Sequence, residues 1–158
     1  MRTVAVVPMK LNNERLPNKN TKRFSDGSPL CKHILETLLK IPDIDEVYVY
    51  CSNPIITDFI PDGVTFLKRS SALDSSETSM NEVLVAFAKD VPADIYVMSH
   101  ATSPFIKHSS IEEGLEKVKS GLHDSALAVE PLQEFLWHNN APFNYDLDNI
   151  VRTQDLEK

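Results

Sequence analysis

Apolar runs of four to six residues, rich in valine, isoleucine and tyrosine, recur at positions 4–7, 47–50, 95–98 and 126–129. Runs this short and unbroken predict strands buried on both faces. Between them apolar residues return every three or four positions: Ile34, Leu35, Leu38 and Leu39 within 30–41, Val83, Leu84 and Phe87 within 80–91, and Leu115, Val118 and Leu122 within 111–122. That spacing predicts three amphipathic helices. A weaker strand at 64–67 follows a short helical candidate at 55–60, which the turn signals Asn53-Pro54 and Asp62-Gly63 bracket. Strand and helix alternate throughout. The expected fold class is therefore α/β, a three-layer, doubly wound, mostly parallel sheet with helices on both faces and ligands at the carboxyl ends of the strands.

From Pro131 onward the pattern decays into aromatics, amides and turns, with no clear helix or strand of normal length. Residues 1–130 read as a core and 131–158 as the start of a further region. The charged ending, with no terminal element to seal the sheet, leads to the expectation that the chain stops partway through a larger protein.

Composition narrows the class. The chain has 158 residues, 42% hydrophobic and 25% charged, the profile of one globular domain and not of a disordered or fibrous chain. The first apolar run stops at Pro8, too early for a secretion signal, and nowhere do about 18 apolar residues follow one another as a membrane span requires. A cytoplasmic protein with no membrane partner is expected. The formal net charge of −7 argues against a surface that embraces nucleic acid. Cys31 and Cys51 lie in or beside apolar runs and read as two buried, reduced thiols. His33, His108, His123 and His138 share no spacing that suits zinc, and the two cysteines form no close pair.

The exception to the acidic balance is the stretch after the first strand. Within 10–23, Lys10, Arg15, Lys19, Lys22 and Arg23 face one acid, Glu14. A basic loop at the carboxyl edge of a parallel sheet can gather main-chain amides and cationic side chains on phosphate oxygens, which points to a nucleotide or a sugar phosphate. It is neither a Walker A loop nor a GxGxxG turn, because none of the chain's four glycines falls there.

The stretch resembles the signature of the sugar-nucleotide cytidylyltransferases: an apolar strand, then Ala-Arg-Gly-Gly-Ser-Lys-Arg-Ile-Pro-Gly-Lys-Asn, then a Gly-x-Pro-Leu turn opening a helix. Here the frame reads PMKLNNERLPNKN, followed by DGSPLCKHILETLL. Arg15, Leu16, Pro17, Lys19 and Asn20 fall on the pattern, as do Gly27, Pro29 and Leu30, and Lys10 replaces the first arginine. Leu11 and Asn12 stand for the glycine pair, Asn13 for the serine and Glu14 for the first lysine. Arg69 stands where the family carries an arginine near the base, and Thr78-Ser79 matches its small polar pair beside the nucleotide, although Ser79 is equally suited to cap a helix. ATSPF at 101–105 looks like the family's Pro-Thr-Ser-Pro-Leu loop at the sugar site. Lys19-Asn20 and Thr102-Ser103-Pro104, in place of Lys-Pro and Gly-Asp-Glu-Pro, point to the acylneuraminate branch, which includes relatives that activate other nine-carbon acids.

The resemblance implies a Rossmann-like nucleotidyltransferase fold that couples CTP to an acylneuraminate-like nine-carbon keto-acid sugar, giving a CMP-sugar and pyrophosphate. It implies Lys10 and Lys19 as catalytic cations, Lys10, Asn13, Arg15, Lys19, Asn20, Arg69, Thr78 and Ser79 around the nucleotide, and His100, Thr102 and Ser103 around the sugar. Magnesium is the implied cofactor. Its ligands match no segment of this chain, and Asp74 has no specific support in its neighbourhood. The resemblance further implies a nucleotide-binding core at 1–130, a sugar-binding and dimerisation region beginning at 131–158, and a homodimer with a contact around Phe135 and Trp137. Two alternatives stand beside it: a non-catalytic nucleotide or sugar-phosphate binding module, and a nucleotidyltransferase of other base specificity.

Overall fold

A computed structural model describes residues 1–13 and 16–156, which fall into two compact units, Met1–Ala126 and Leu127–Lys158. In the first unit, strands β1 (Thr3–Met9), β2 (Glu46–Cys51), β3 (Val64–Lys68) and β4 (Ile95–Met98) form one sheet in the order β3-β2-β1-β4, every pairing parallel. Helices α1 (Leu30–Leu38), α2 (Met80–Asp90) and α3 (His108–Lys119) connect them or follow them. The chain steps outward from β1 to β3, then jumps back to pair β4 on the other side of β1. That reversal is a topological switch point, the place where open parallel sheets bind ligands.

The alternation of side chains along each strand divides the core in two. Ala5 and Val7 of β1 and Val47 and Val49 of β2 pack with Cys31, Ile34, Leu35 and Leu38 of α1 and with Ile111 and Leu115 of α3. Val4, Val6, Tyr48 and Tyr50, facing the other way, pack with Val83 and Phe87 of α2. The three layers expected from the sequence are present. Phe87, fully buried, meets the rings of Tyr48 and Tyr50 edge to face at 5.6 and 5.3 Å, a geometry that suits the aromatic quadrupoles. Cys31 and Cys51 are buried and unpaired, and burial pushes the Cys31 thiol up to about 11.

Helix α2 starts where Ser79 and Glu82 close a capping box, Glu82 N donating to Ser79 Oγ at 3.3 Å and Ser79 N to Glu82 Oε2 at 2.8 Å. Helix α3 stops at Gly121, whose φ of +73° lets its amide turn back to Val118 O.

Three elements differ from expectation. The apolar run 126–129 is not a strand: it pairs with no strand among the described residues, and Leu127 and Val129 are 85% and 77% exposed. A strand exists only through a partner ladder, and four apolar residues supply hydrophobicity without one. Strand β4, the sheet's edge, is also not buried on both faces, since Tyr96 and Met98 each remain over a third exposed while Ile95 and Val97 turn inward. The 55–60 candidate forms a 3-10 helix, Pro54–Phe59, and not an α-helix.

The second unit holds a hairpin of two short strands, β5 (Trp137–His138) and β6 (Ala141–Pro142), antiparallel and joined by Asn139 and Asn140. Both asparagines have positive φ, 49° and 60°, as a two-residue hairpin turn of the mirror-image type demands. Tyr145 packs its ring on Phe135 and Trp137.

Candidate functional site

Because all four strands run parallel, the segments that follow them emerge on one rim. Lys10 follows β1, Ser52 follows β2 and Arg69 follows β3. These three converge on Asp74, the last residue of a 3-10 turn, Ser71–Asp74, between β3 and α2. The Arg69 Nη2 group pairs with Asp74 Oδ1 at 2.8 Å, with the two side chains 4% and 15% exposed. Ser52 Oγ donates to the other carboxylate oxygen, and Lys10 Nζ donates to the Asp74 main-chain carbonyl at 3.1 Å. Asn20, itself buried, donates from Nδ2 to the Lys10 carbonyl at 3.0 Å. One connected network thus spans the carboxyl ends of β1, β2 and β3.

Its electrostatics follow from burial. A guanidinium as enclosed as that of Arg69 needs a partner, and Asp74 is that partner. The Arg69 side chain also lies over the Tyr50 ring, its Cζ 5.9 Å from the centroid, and its main-chain amide donates to Cys51 O. The Tyr50 hydroxyl, desolvated by burial and donating to Asp90 Oδ2 at 2.7 Å, is pushed up to about 12. Arg69 Nε is buried with no hydrogen-bond partner among the described residues. The Lys10 ammonium has a different situation: its partner among the described residues is a neutral carbonyl, which holds this cation in place without an ion pair.

The other sequence candidates distribute as follows. Lys19 opens a 3-10 turn, Lys19–Thr21, after Asn18 in the left-handed conformation, and is half-buried with no side-chain hydrogen bond among the described residues. Asn13 Oδ1 is buried and likewise unpartnered among them. Arg15 lies outside the described residues. Thr78 ties its loop together through a bond from Oγ1 to Ala72 O at 3.4 Å. The Ser79 hydroxyl is engaged with Glu82 in the capping box, and the hydrogen bonds that the carboxyl accepts, from Ser79 N first and then from Ser79 Oγ, hold it below its ordinary range. His100, Thr102 and Ser103 follow β4, whose end is tied to β1 where Ser99 N donates to Val6 O at 3.0 Å. All three are exposed, and none of their side chains makes a hydrogen bond among the described residues. Phe105, 78% exposed, approaches the rings of Phe24 and His33 at 6.1 and 6.4 Å.

The structure therefore joins Asn20 to Lys10 directly, and Lys10 to Arg69 through Asp74. It sets His100, Thr102 and Ser103 on the same rim by topology, across the switch point between β1 and β4. Asp74, set aside on the sequence, is the residue at the centre. Ser52 was not anticipated, since a serine after an apolar strand carries no signal of its own.

A cleft of about 430 Å³ lined by Arg23, Lys32, Glu36, Phe59 and Asp62 shares none of these residues. Among the described residues no three His, Cys, Asp or Glu side chains gather as a metal site, and both oxygens of the Asp74 carboxylate are taken. Among the described residues of the rim, Asp74 therefore presents no unengaged carboxylate oxygen.

A family model described as cytidylyltransferase matches residues 4–154. The chain is 29% identical over 165 aligned positions to the CMP-N,N'-diacetyllegionaminic acid synthase of Legionella pneumophila, an alignment covering 99% of this chain and 70% of that protein. Among solved structures, a CMP:2-keto-3-deoxy-manno-octonic acid synthetase complexed with CTP superposes with a TM-score of 0.64 at 24% identity, covering 76% of this chain and 48% of that one. A 4-diphosphocytidyl-2C-methyl-D-erythritol synthase superposes with a TM-score of 0.60 at 14% identity, covering 89% and 66%. The chain thus spans 70% of its curated relative and about half of the synthetase with CTP. At these identities the solved structures establish the nucleotidyltransferase fold, while the sequence match over nearly all of the chain establishes kinship: the chain belongs to the cytidylyltransferase family.

Proposed function

We propose that this chain binds CTP on its carboxyl rim and that the protein couples it to a nine-carbon keto-acid sugar, giving a CMP-sugar and pyrophosphate. The observation that carries this reading is the Lys10 ammonium, held at the switch-point rim by a neutral carbonyl and so free to meet a triphosphate with its charge intact. Family membership supplies the reaction type, and the curated relative, named for a nonulosonic acid, supports the sugar class.

In the reaction, the anomeric hydroxyl oxygen of the sugar attacks the α-phosphorus. A new P–O bond forms, the bond to the α,β-bridging oxygen breaks, and pyrophosphate leaves with the electron pair while the hydroxyl proton passes to base or solvent. Such a displacement needs alignment and neutralised phosphate oxygens more than covalent help from the protein. Lys10 and Lys19 would supply the charge, with Arg15 as a further cation. Asn20 steadies the main chain that carries Lys10, and Arg69 would lie beside the base with Thr78 and Ser79. His100, Thr102 and Ser103, with unengaged side chains, would receive the sugar. Magnesium enters this reading as a companion of the triphosphate, where it would offset phosphate charge; no step here is derived from it.

Homodimerisation through the second unit belongs to the same reading, supported by the exposed rings of Trp137 and Phe143. A cytoplasmic setting is supported by the buried, unpaired cysteines, which suit a reducing compartment. The acidic balance favours small-molecule ligands over nucleic acid. No helix among the described residues is long and apolar enough to cross a membrane. A second reading, a binding module without turnover, is favoured by Glu14, which puts an acid where the family signature has a lysine.

Incubating the protein with each NTP, magnesium and N-acetylneuraminate or another nonulosonic acid separates the readings. Pyrophosphate release with CTP alone supports the transferase, release with a different NTP means another base specificity, and CTP binding without release supports the module.

A further inference from the structure

We infer that Asp74 is a positioning residue that aligns the nucleotide-facing cations of the rim, so that one carboxylate and its own carbonyl set both Arg69 and Lys10. The inference rests on the proposed nucleotide site and deepens it. Asp74 reaches residues 5, 22 and 64 positions away in the chain, one after each of the first three strands. Its Oδ1 takes the Arg69 guanidinium at 2.8 Å, its Oδ2 takes the Ser52 hydroxyl, and its main-chain oxygen takes the Lys10 ammonium at 3.1 Å.

The division of labour among these three oxygens has a physical sense. A carboxylate on the rim would repel a triphosphate if it stood free. Here its charge is opposed by the buried Arg69, and its second oxygen by a hydroxyl, so little negative field is left toward the ligand. Lys10 is bound by the peptide carbonyl instead, which accepts one of three ammonium donors and leaves the other two, and the full charge, for phosphate oxygens. The turn that carries this carbonyl, Ser71–Asp74, is short, with Ser71 and Ala72 exposed, and the carboxylate of Asp74 anchors it. Loss of the Arg69 pair would release the turn, so the Lys10 ammonium would lose its target along with the guanidinium.

The test is calorimetric titration of the whole chain with CTP, in wild type, Asp74→Asn, Asp74→Glu and Ser52→Ala. Titration separates two quantities: the dissociation constant reports the geometry of the site, and the stoichiometry reports the folded fraction. Asp74→Asn should raise the dissociation constant about tenfold at unchanged stoichiometry, the cost of one charge-assisted contact. Asp74→Glu, which restores charge at the wrong reach, should fall between Asp74→Asn and wild type. Ser52→Ala, which leaves every charge in place, should give about a threefold rise. A dissociation constant within twofold of wild type for Asp74→Asn overturns the inference. So does lower stoichiometry with unchanged affinity in the molecules that remain folded, which would assign Asp74 to folding alone. The wild-type titration reports separately on the underlying reading: binding of another NTP in place of CTP overturns the base assignment while the variant ratio still measures the role of Asp74, and binding of no NTP overturns both.

Discussion

The two sides of the rim are built differently. On the side of β1, β2 and β3 the polar side chains are buried or half-buried and joined in one network, from Asn20 through Lys10 and Asp74 to Arg69 and Ser52. On the side of β4, His100, Thr102 and Ser103 are exposed and their side chains are unengaged among the described residues. The first arrangement fixes geometry before any ligand arrives, so little ordering entropy remains to be lost on binding. The second leaves the side chains free to adjust. A nucleotide common to every member of a family suits the former, and an acceptor that differs from member to member suits the latter.

The largest effect should come from breaking the buried pair. Arg69→Met leaves the Asp74 carboxylate mostly enclosed with only a serine for company, and should cost about 3 kcal/mol of unfolding free energy in a denaturant titration. Adding Asp74→Leu to Arg69→Met removes the stranded charge and should recover most of that loss, because an apolar pair of similar volume is often no worse than a buried ion pair. CTP affinity should not return with it. If the double variant is no more stable than the single one, the pair is not what makes this side of the rim rigid.

Next come the two cations proposed to meet the triphosphate. Lys10→Ala should weaken CTP binding about tenfold, and Lys19→Ala by less, since Lys19 lacks the carbonyl that holds Lys10 in place. Lys19→Ala should keep its stability within about 0.5 kcal/mol, and Lys10→Ala, which also gives up its bond to the Asp74 carbonyl, should lose about 1 kcal/mol. Equal losses from the two would show that the fixed position of Lys10 adds nothing to its charge.

The two sides also differ in what the sequence discloses. Strands β1 and β2 and the helices against them are legible because burial on both faces leaves unbroken apolar runs, and burial on one face leaves a three-to-four-residue rhythm. The run 126–129 misleads for the same reason in reverse: it has the apolar content of a strand but no partner ladder, and pairing is a non-local property. The cationic loop is visible as a local excess of charge. Asp74 is not, because its meaning comes from residues up to 64 positions away, and a lone aspartate in a serine-rich stretch has no pattern of its own. Ser79 shows both limits, since its capping box with Glu82 is readable four residues wide while a second role beside a nucleotide is not.

The smallest effect, and the sharpest test of the contrast, lies on the β4 side. Thr102→Ala and Ser103→Ala remove hydroxyls that bond to nothing among the described residues, so stability should stay within about 0.5 kcal/mol and the CTP dissociation constant should not move. In a pyrophosphate-release assay the half-saturating concentration of the sugar should rise about threefold for each, the worth of one neutral hydrogen bond to an exposed acceptor. The separation follows from the geometry: a side chain outside the Asp74 network has no path by which its loss disturbs Arg69 or Lys10. A shift in CTP affinity as large as that of Lys10→Ala would mean that the nucleotide itself touches the loop after β4, and the division of the rim into a fixed half and an adjustable half would have to be redrawn.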